Sequence, residues 1–132
     1  MFLERMTTAQ AEVFLKQDPI AVLPIGSTEQ HGTQCALGTD FLIPRNLAER
    51  VEAMDGMENV VILPTIPFGV CDYHMNFSGT INIGYECLYT IISKVTKAMM
   101  GHGVRRFVVI NGHGGNTPAI DQAALDVHRA GG

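Results

Sequence analysis

Glu29 and His31 stand two residues apart in Gly26-Ser27-Thr28-Glu29-Gln30-His31-Gly32, and Asp40 follows nearby in Gly38-Thr39-Asp40. A carboxylate and an imidazole at that spacing, in irregular backbone, could converge on one metal ion or reach two adjacent ones. Asp40, at the entrance to an expected helix, is favoured there by the helix N-terminus and has two oxygens with which to bridge. Taken singly, Glu29 reads as a loop residue, His31 as a turn residue and Asp40 as a helix cap. Taken together behind one strand, among glycines that let the backbone bend, they read as metal ligands.

A second motif is Asn111-Gly112-His113-Gly114-Gly115-Asn116. Glycine loses the most conformational freedom on folding, so this loop is costly. The cost makes sense if the backbone must fold tightly and aim the His113 ring. A phosphate cradle is the rival reading, but the loop lacks both the lysine of GxxxxGK[ST] and the GxGxxG spacing. The candidate ligand set is therefore Glu29, His31, Asp40 and His113. Mixed oxygen and nitrogen donors suit zinc or manganese, with iron as a third option, better than a soft thiolate site does. Either one ion or a pair about 3.5–4 Å apart would activate water and polarise a carbonyl.

A third segment, Gly69 to Thr80, carries Cys71, Asp72 and His74. His74 is the catalytic candidate, able to shuttle a proton or to bind substrate. Asp72 either orients it, meets substrate or is a plain loop carboxylate. Asp72 and Asn116 are the substrate-binding candidates. Cys71 reads as a weak nucleophile or, more simply, as a buried inert thiol. His102 reads as a helix-end cap and His128 as an exposed helix residue.

These motifs need elements to position them. Apolar runs at Ile20–Ile25, Val60–Leu63 and Phe107–Ile110 predict strands. Pro24 suggests that the first lies at a sheet edge or ends early. Helices are expected over Thr8–Gln17, capped by Thr7 or Thr8, and from about Phe41 to Ala53, with Pro44 in the first turn. Two more are expected over Tyr85–Met100 and over Thr117–Arg129, the latter capped by Thr117 with Pro118 at its first position. Alternating strands and helices imply a parallel sheet with helices on its faces. Ligands of such sheets bind beyond the carboxyl ends of the strands, where each motif lies.

The chain has 132 residues, 46% hydrophobic and 17% charged, which suits one folded domain and excludes a disordered chain. A net charge of -4 without a Lys/Arg cluster argues against a nucleic-acid partner. Cys35, Cys71 and Cys87 are odd in number and lack CxxC spacing, a poor basis for disulfides or a zinc–thiolate site. No apolar run approaches the roughly 20 residues that span a bilayer, and no signal peptide is visible. A cytoplasmic location without a membrane partner is expected.

From about Ile20 to Ala130 the chain resembles the creatininase (creatinine amidohydrolase) family. Leu23–Gly32, Leu37–Asp40 and Asn111–Asn116 carry the likeness. Gly69–Thr80 is similar to the family loop with a histidine before a Phe-x-Gly-Thr stretch. The resemblance implies a three-layer α/β/α fold with a mostly parallel sheet. It implies a binuclear zinc or manganese centre held by Glu29, His31, Asp40 and His113, with Asp40 as the bridge. It also implies homo-oligomers that hydrolyse a non-peptide C–N bond in a small cyclic or linear amide, in the manner of creatinine amidohydrolase or a formamide hydrolase.

Where creatininase has a glutamate two residues after its ligand histidine, this chain has Gly115. That points away from creatinine as substrate and towards members that take a glutamate from further downstream. The family runs to nearly twice this length. Residues 1–132 are therefore expected to form a single creatininase-like domain lacking the C-terminal portion. The chain would then be a fragment, a partner chain would complete it, or it would serve as a catalytically incomplete metal-binding or assembly subunit.

Overall fold

The computed structural model describes all of residues 1–132. Three parallel strands, β1 (Ile20–Ile25), β2 (Val60–Ile62) and β3 (Arg106–Asn111), form a sheet in the order β2-β1-β3. Four α-helices, α1 (Thr8–Leu15), α2 (Thr39–Glu52), α3 (Gly84–Gly101) and α4 (Thr117–Arg129), cover its two faces. Side chains alternate across a strand. Ala21, Leu23, Ile25 and Val61 therefore pack with Phe14 and Leu15 of α1, Leu88, Ile92 and Met99 of α3, and Ala119 and Ala123 of α4. Val22, Val60 and Ile62 face the other way and pack with Ala48 of α2. These are the three layers expected. Leu88 and Ile92 are 0% and 2% exposed, and burying each contributes about 1.5–3 kcal/mol.

Thr7 caps α1 through the capping box: its hydroxyl accepts from Gln10 N–H, and the Gln10 amide oxygen accepts from Thr7 N–H at 2.8 Å. The outer edge of β2 is covered by the N-terminus, where Ile62 N–H donates to the Met1 carbonyl at 2.8 Å. No helix is long and apolar enough to cross a membrane.

Three local expectations are corrected. Pro24 lies in the central strand, not at an edge. Its carbonyl points to the β2 side and accepts from Ile66 N–H at 3.0 Å. Its missing N–H would point the same way, where β2 has already ended at Ile62, so little of the ladder is lost. Pro44 is the sixth residue of α2, because that helix begins at Thr39. Thr117 is a helical residue and not the cap of α4. Asn116 precedes it with helical backbone, and its side chain makes no cap bond.

The long segment after β2 is ordered by pairing and not by regular structure. Isolated bridges join Ile25 to Ile66, Thr28 to Ile81 and Gly69 to Asn82. A single 3-10 turn spans Asp72–His74. Ile25 pairs with Asn111, so the two motif loops leave the sheet side by side at its carboxyl end.

Candidate metal centre

Asp40 is the second residue of α2, where a carboxylate is favoured by the helix dipole. Pro44, one turn later, has no N–H to return to the Asp40 carbonyl. That carbonyl is instead covered by two glycines. A Cβ on Gly26 or Gly112 would fall on the Asp40 carbonyl oxygen, and one on Gly112 would also lie 2.7 Å from Pro44 Cγ. The hydrogen in each Cβ position points at the oxygen, a Cα–H···O contact. The glycine after β1 and the glycine after β3 thus clamp the start of α2, and the Asp40 side chain comes with it.

The Glu29 segment is held from both sides. Glu29 N–H donates to the Leu37 carbonyl at 3.0 Å, and Ile81 N–H donates to the Thr28 carbonyl at 2.9 Å. The Thr28 hydroxyl donates to the Pro67 carbonyl at 2.9 Å. The Glu29 side chain therefore enters a buried cluster with Asp40 and His113.

Asp40 faces two histidines at once: Oδ1 lies 2.8 Å from His31 Nε2 and Oδ2 lies 2.9 Å from His113 Nδ1. Glu29 Oε1 is 3.1 Å from the same His113 Nδ1. The far nitrogens are fixed by backbone carbonyls. His113 Nε2 lies 2.8 Å from the Val70 carbonyl, and His31 Nδ1 lies 3.2 Å from the Glu29 carbonyl. A ring nitrogen that donates to a carbonyl leaves the other nitrogen free to ligate, an arrangement typical of metal-bound histidine. The Glu29 carbonyl holds the His31 pKa above its ordinary value against partial burial, and Asp40 adds to the effect.

The donor chemistry fits a divalent cation. Glu29 is 6% exposed and its Oε2 has no hydrogen-bond partner. A buried carboxylate oxygen without a partner costs free energy. Two carboxylates share one imidazole nitrogen, which a cation would relieve. One donor atom from each of Glu29, His31 and Asp40 lies within 4.8 Å of the others, and the same holds for Glu29, Cys71 and His113.

His74 lies at the rim. Its Nδ1 is 3.2 Å from the Gln30 side-chain amide, and its Nε2 is 3.8 Å from Glu29 Oε2. Asp72 shares the turn with His74 but does not orient it: Asp72 Oδ1 accepts from Asn82 Nδ2 at 2.6 Å. Asn116 is 0% exposed. Its amide donates to the Gly26 carbonyl at 3.0 Å and accepts from Val70 N–H at 3.0 Å, tying together the three loops that carry the donors.

Sequence reasoning missed Ser27, whose hydroxyl donates to Asp40 Oδ2 at 2.8 Å in full burial. Its place one residue after Gly26 was the only signal. It also missed the Val70 carbonyl, which has no side-chain signature. Cavities of about 570 and 650 Å³ lie along α1 and contain none of these donors.

Residues 4–132 match the family described as Creatininase, creatinine amidohydrolase. A mycofactocin precursor peptide peptidase of Mycobacterium tuberculosis is 38% identical over 112 residues, covering 80% of this chain and 44% of the relative. A creatinine amidohydrolase of Pseudomonas putida is 28% identical over 123 residues, covering 86% and 46%. A solved creatininase in its Mn form superposes with a TM-score of 0.82 at 26% identity, over 98% of this chain and 53% of that one. A mutant creatininase of the Zn-Zn type gives the same values. The chain spans about half the length of the relatives it matches.

Proposed function

This chain belongs to the creatininase family, and on that footing we propose that Glu29, His31, Asp40 and His113 hold divalent metal for the hydrolysis of an amide C–N bond. The observation that carries the reading is Asp40, which turns one oxygen to each of two histidines beside a buried Glu29 oxygen that lacks a partner. Zinc or manganese is the proposed metal, in keeping with the Zn and Mn forms of creatininases of the same fold. If two ions were held, Asp40, with one oxygen towards each histidine, would be the residue they share. When bound, divalent metal supplies Lewis acidity to a water and to the scissile carbonyl.

The chain's own residues supply the rest. Ser27 fixes the Asp40 carboxylate, and the Val70 carbonyl fixes the His113 ring. The Gln30 amide donates to His74 Nδ1, which leaves the ring proton on Nε2, facing the Glu29 oxygen and the site. From there His74 returns a proton to the departing nitrogen. Half-exposed at the rim, it exchanges protons with solvent. Asp72, on the same turn, is proposed to meet substrate, while Asn116 acts by positioning.

The proposed substrate is a small cyclic or linear amide. Among relatives, one is named for creatinine and one for a peptide, and the bond common to both is an amide. Homo-oligomer formation, or completion by a partner chain, is part of the same proposal. Exposed Ile43, Leu47 and Val108 support it as apolar surface. The test is a panel containing a cyclic amide, a formamide and a short peptide, given to metal-loaded protein. Turnover is expected, with His74→Ala slower by about 10²–10⁴-fold at unchanged metal content. Bound metal without turnover of any amide would favour the second reading, an assembly subunit that keeps the site's residues without the chemistry.

A further inference from the structure

The outer edge of β3 carries no strand, because the sheet runs in the order β2-β1-β3. Gly112 N–H donates to the Ile25 carbonyl at 2.9 Å. In a parallel pair every second residue bonds to the same neighbour, so Val108 and Ile110 turn their backbone groups towards β1. Phe107 and Val109 turn theirs outwards, where no strand receives them. Sequences that leave an edge open blunt it with a lysine, a proline or a bulge. Phe107–Ile110 has none of these, and its register with β1 is unbroken.

Both faces of this edge are apolar. Phe107 and Val109 pack with the cluster under α3 and α4, and with Ile120, Ala124 and Val127 they line a groove of about 340 Å³. On the opposite face Ile110 packs with the Val22 cluster, and Val108 is 47% exposed. Arg45 of α2 reaches Glu4 at 3.6 Å, on the N-terminal segment that bridges to β2. Ile43 and Leu47 lie on the other flank of α2, which borders β3, and both are exposed.

We propose that the β3 edge docks a second copy of this chain, the two β3 strands pairing antiparallel about a two-fold axis into one continuous sheet. This deepens the homo-oligomer part of the reading above and is independent of the metal. A two-fold axis brings the same patch to both sides of an interface, and this patch fits itself. With the axis at Val109, that residue faces its own copy and exchanges both backbone bonds with it. Phe107 exchanges the same bonds with Asn111 of the second copy, and Val108 meets Ile110. Arg106 falls opposite Gly112, so the two arginines stand at the far ends of the ribbon and do not repel. Between Phe107 and Ile110 there is no charge to bury.

Sedimentation equilibrium of the 132-residue chain tests the proposal. The wild type should weigh twice the single chain. Val108→Lys sets a charge on the exposed face of β3, twice in each dimer, and should raise the dissociation constant about 100-fold. Val109→Pro removes an outward N–H and leaves the β1 ladder whole, and should act likewise. Val13→Lys, at an exposed apolar site on α1, should leave the dimer intact. Circular dichroism checks that each variant is folded, and Val108→Lys decides if Val109→Pro is not. A monomeric wild type overturns both this surface and the homo-oligomer reading. A dimer that survives folded Val108→Lys overturns the surface alone. Neither result touches the metal reading, which is tested by metal content.

Discussion

Pro44 stands one helical turn after Asp40 and has no N–H to give its carbonyl. The space beside that carbonyl is occupied by the Cα atoms of Gly26 and Gly112. A proline inside a helix ordinarily costs about 3 kcal/mol. Here it opens the first turn of α2 so that the ends of β1 and β3 can close on it. The Asp40 carboxylate is thereby held between the two motif loops.

That clamp makes the glycines unequal. Gly112→Ala sets a methyl group against backbone and the Pro44 ring, and should destabilise the fold by about 1–3 kcal/mol. Gly114→Ala, in the same motif, meets nothing within 4 Å and should change stability by less than about 0.5 kcal/mol. Urea unfolding of the two variants beside the wild type reads the difference. Equal stabilities would remove the clamp from the account.

Glu29 and Asp40 both face His113 Nδ1, at 3.1 and 2.9 Å, and one Glu29 oxygen is buried without a partner. Glu29→Gln should therefore raise stability in chelator by about 1–3 kcal/mol, by neutralising a buried carboxylate that has one oxygen without a partner. The same variant should lose the stabilisation that metal gives the wild type, about 2.7 kcal/mol at a hundredfold excess over Kd. Thermal melts with and without metal separate the two effects, which have opposite signs. A variant less stable than wild type in chelator would mean that Glu29 is satisfied without a cation.

The cysteines should separate in metal-free protein. Cys35 and Cys87 are exposed and Cys71 is buried, with its pKa pushed up to about 11. At pH 8 the Cys71 thiolate is therefore scarce, and alkylation by iodoacetamide should modify Cys35 and Cys87 but spare Cys71. Peptide mass spectrometry reads it. Equal labelling of all three would place Cys71 in a more open and more polar environment than this structure gives it.

The clustering of Glu29, His31, Asp40 and His113 was legible because residue types that suit a metal stood together in motifs, and because glycines beside them mark backbone that must bend. The parallel sheet was legible from its apolar runs: β1 and β2 are buried on both faces and carry little else, and β3 keeps an apolar run although Val108 is exposed. Pro24 misled because the rule against proline in a central strand assumes that the neighbouring strand continues, and β2 stops at Ile62. Asn116 read as a polar motif end, but three loops meet at its side chain, and only the folded chain brings Gly26 and Val70 to it. Ser27 and the Val70 carbonyl were invisible for the same reason. Their roles depend on the approach of segments distant in sequence.

The most direct test of the central claim is elemental analysis of purified wild-type protein beside Glu29→Ala and His113→Ala. Stoichiometric zinc, manganese or iron is expected in the wild type, with joint loss from both variants while each stays folded. Metal retained in both variants, or a folded wild type that takes up none, would contradict it.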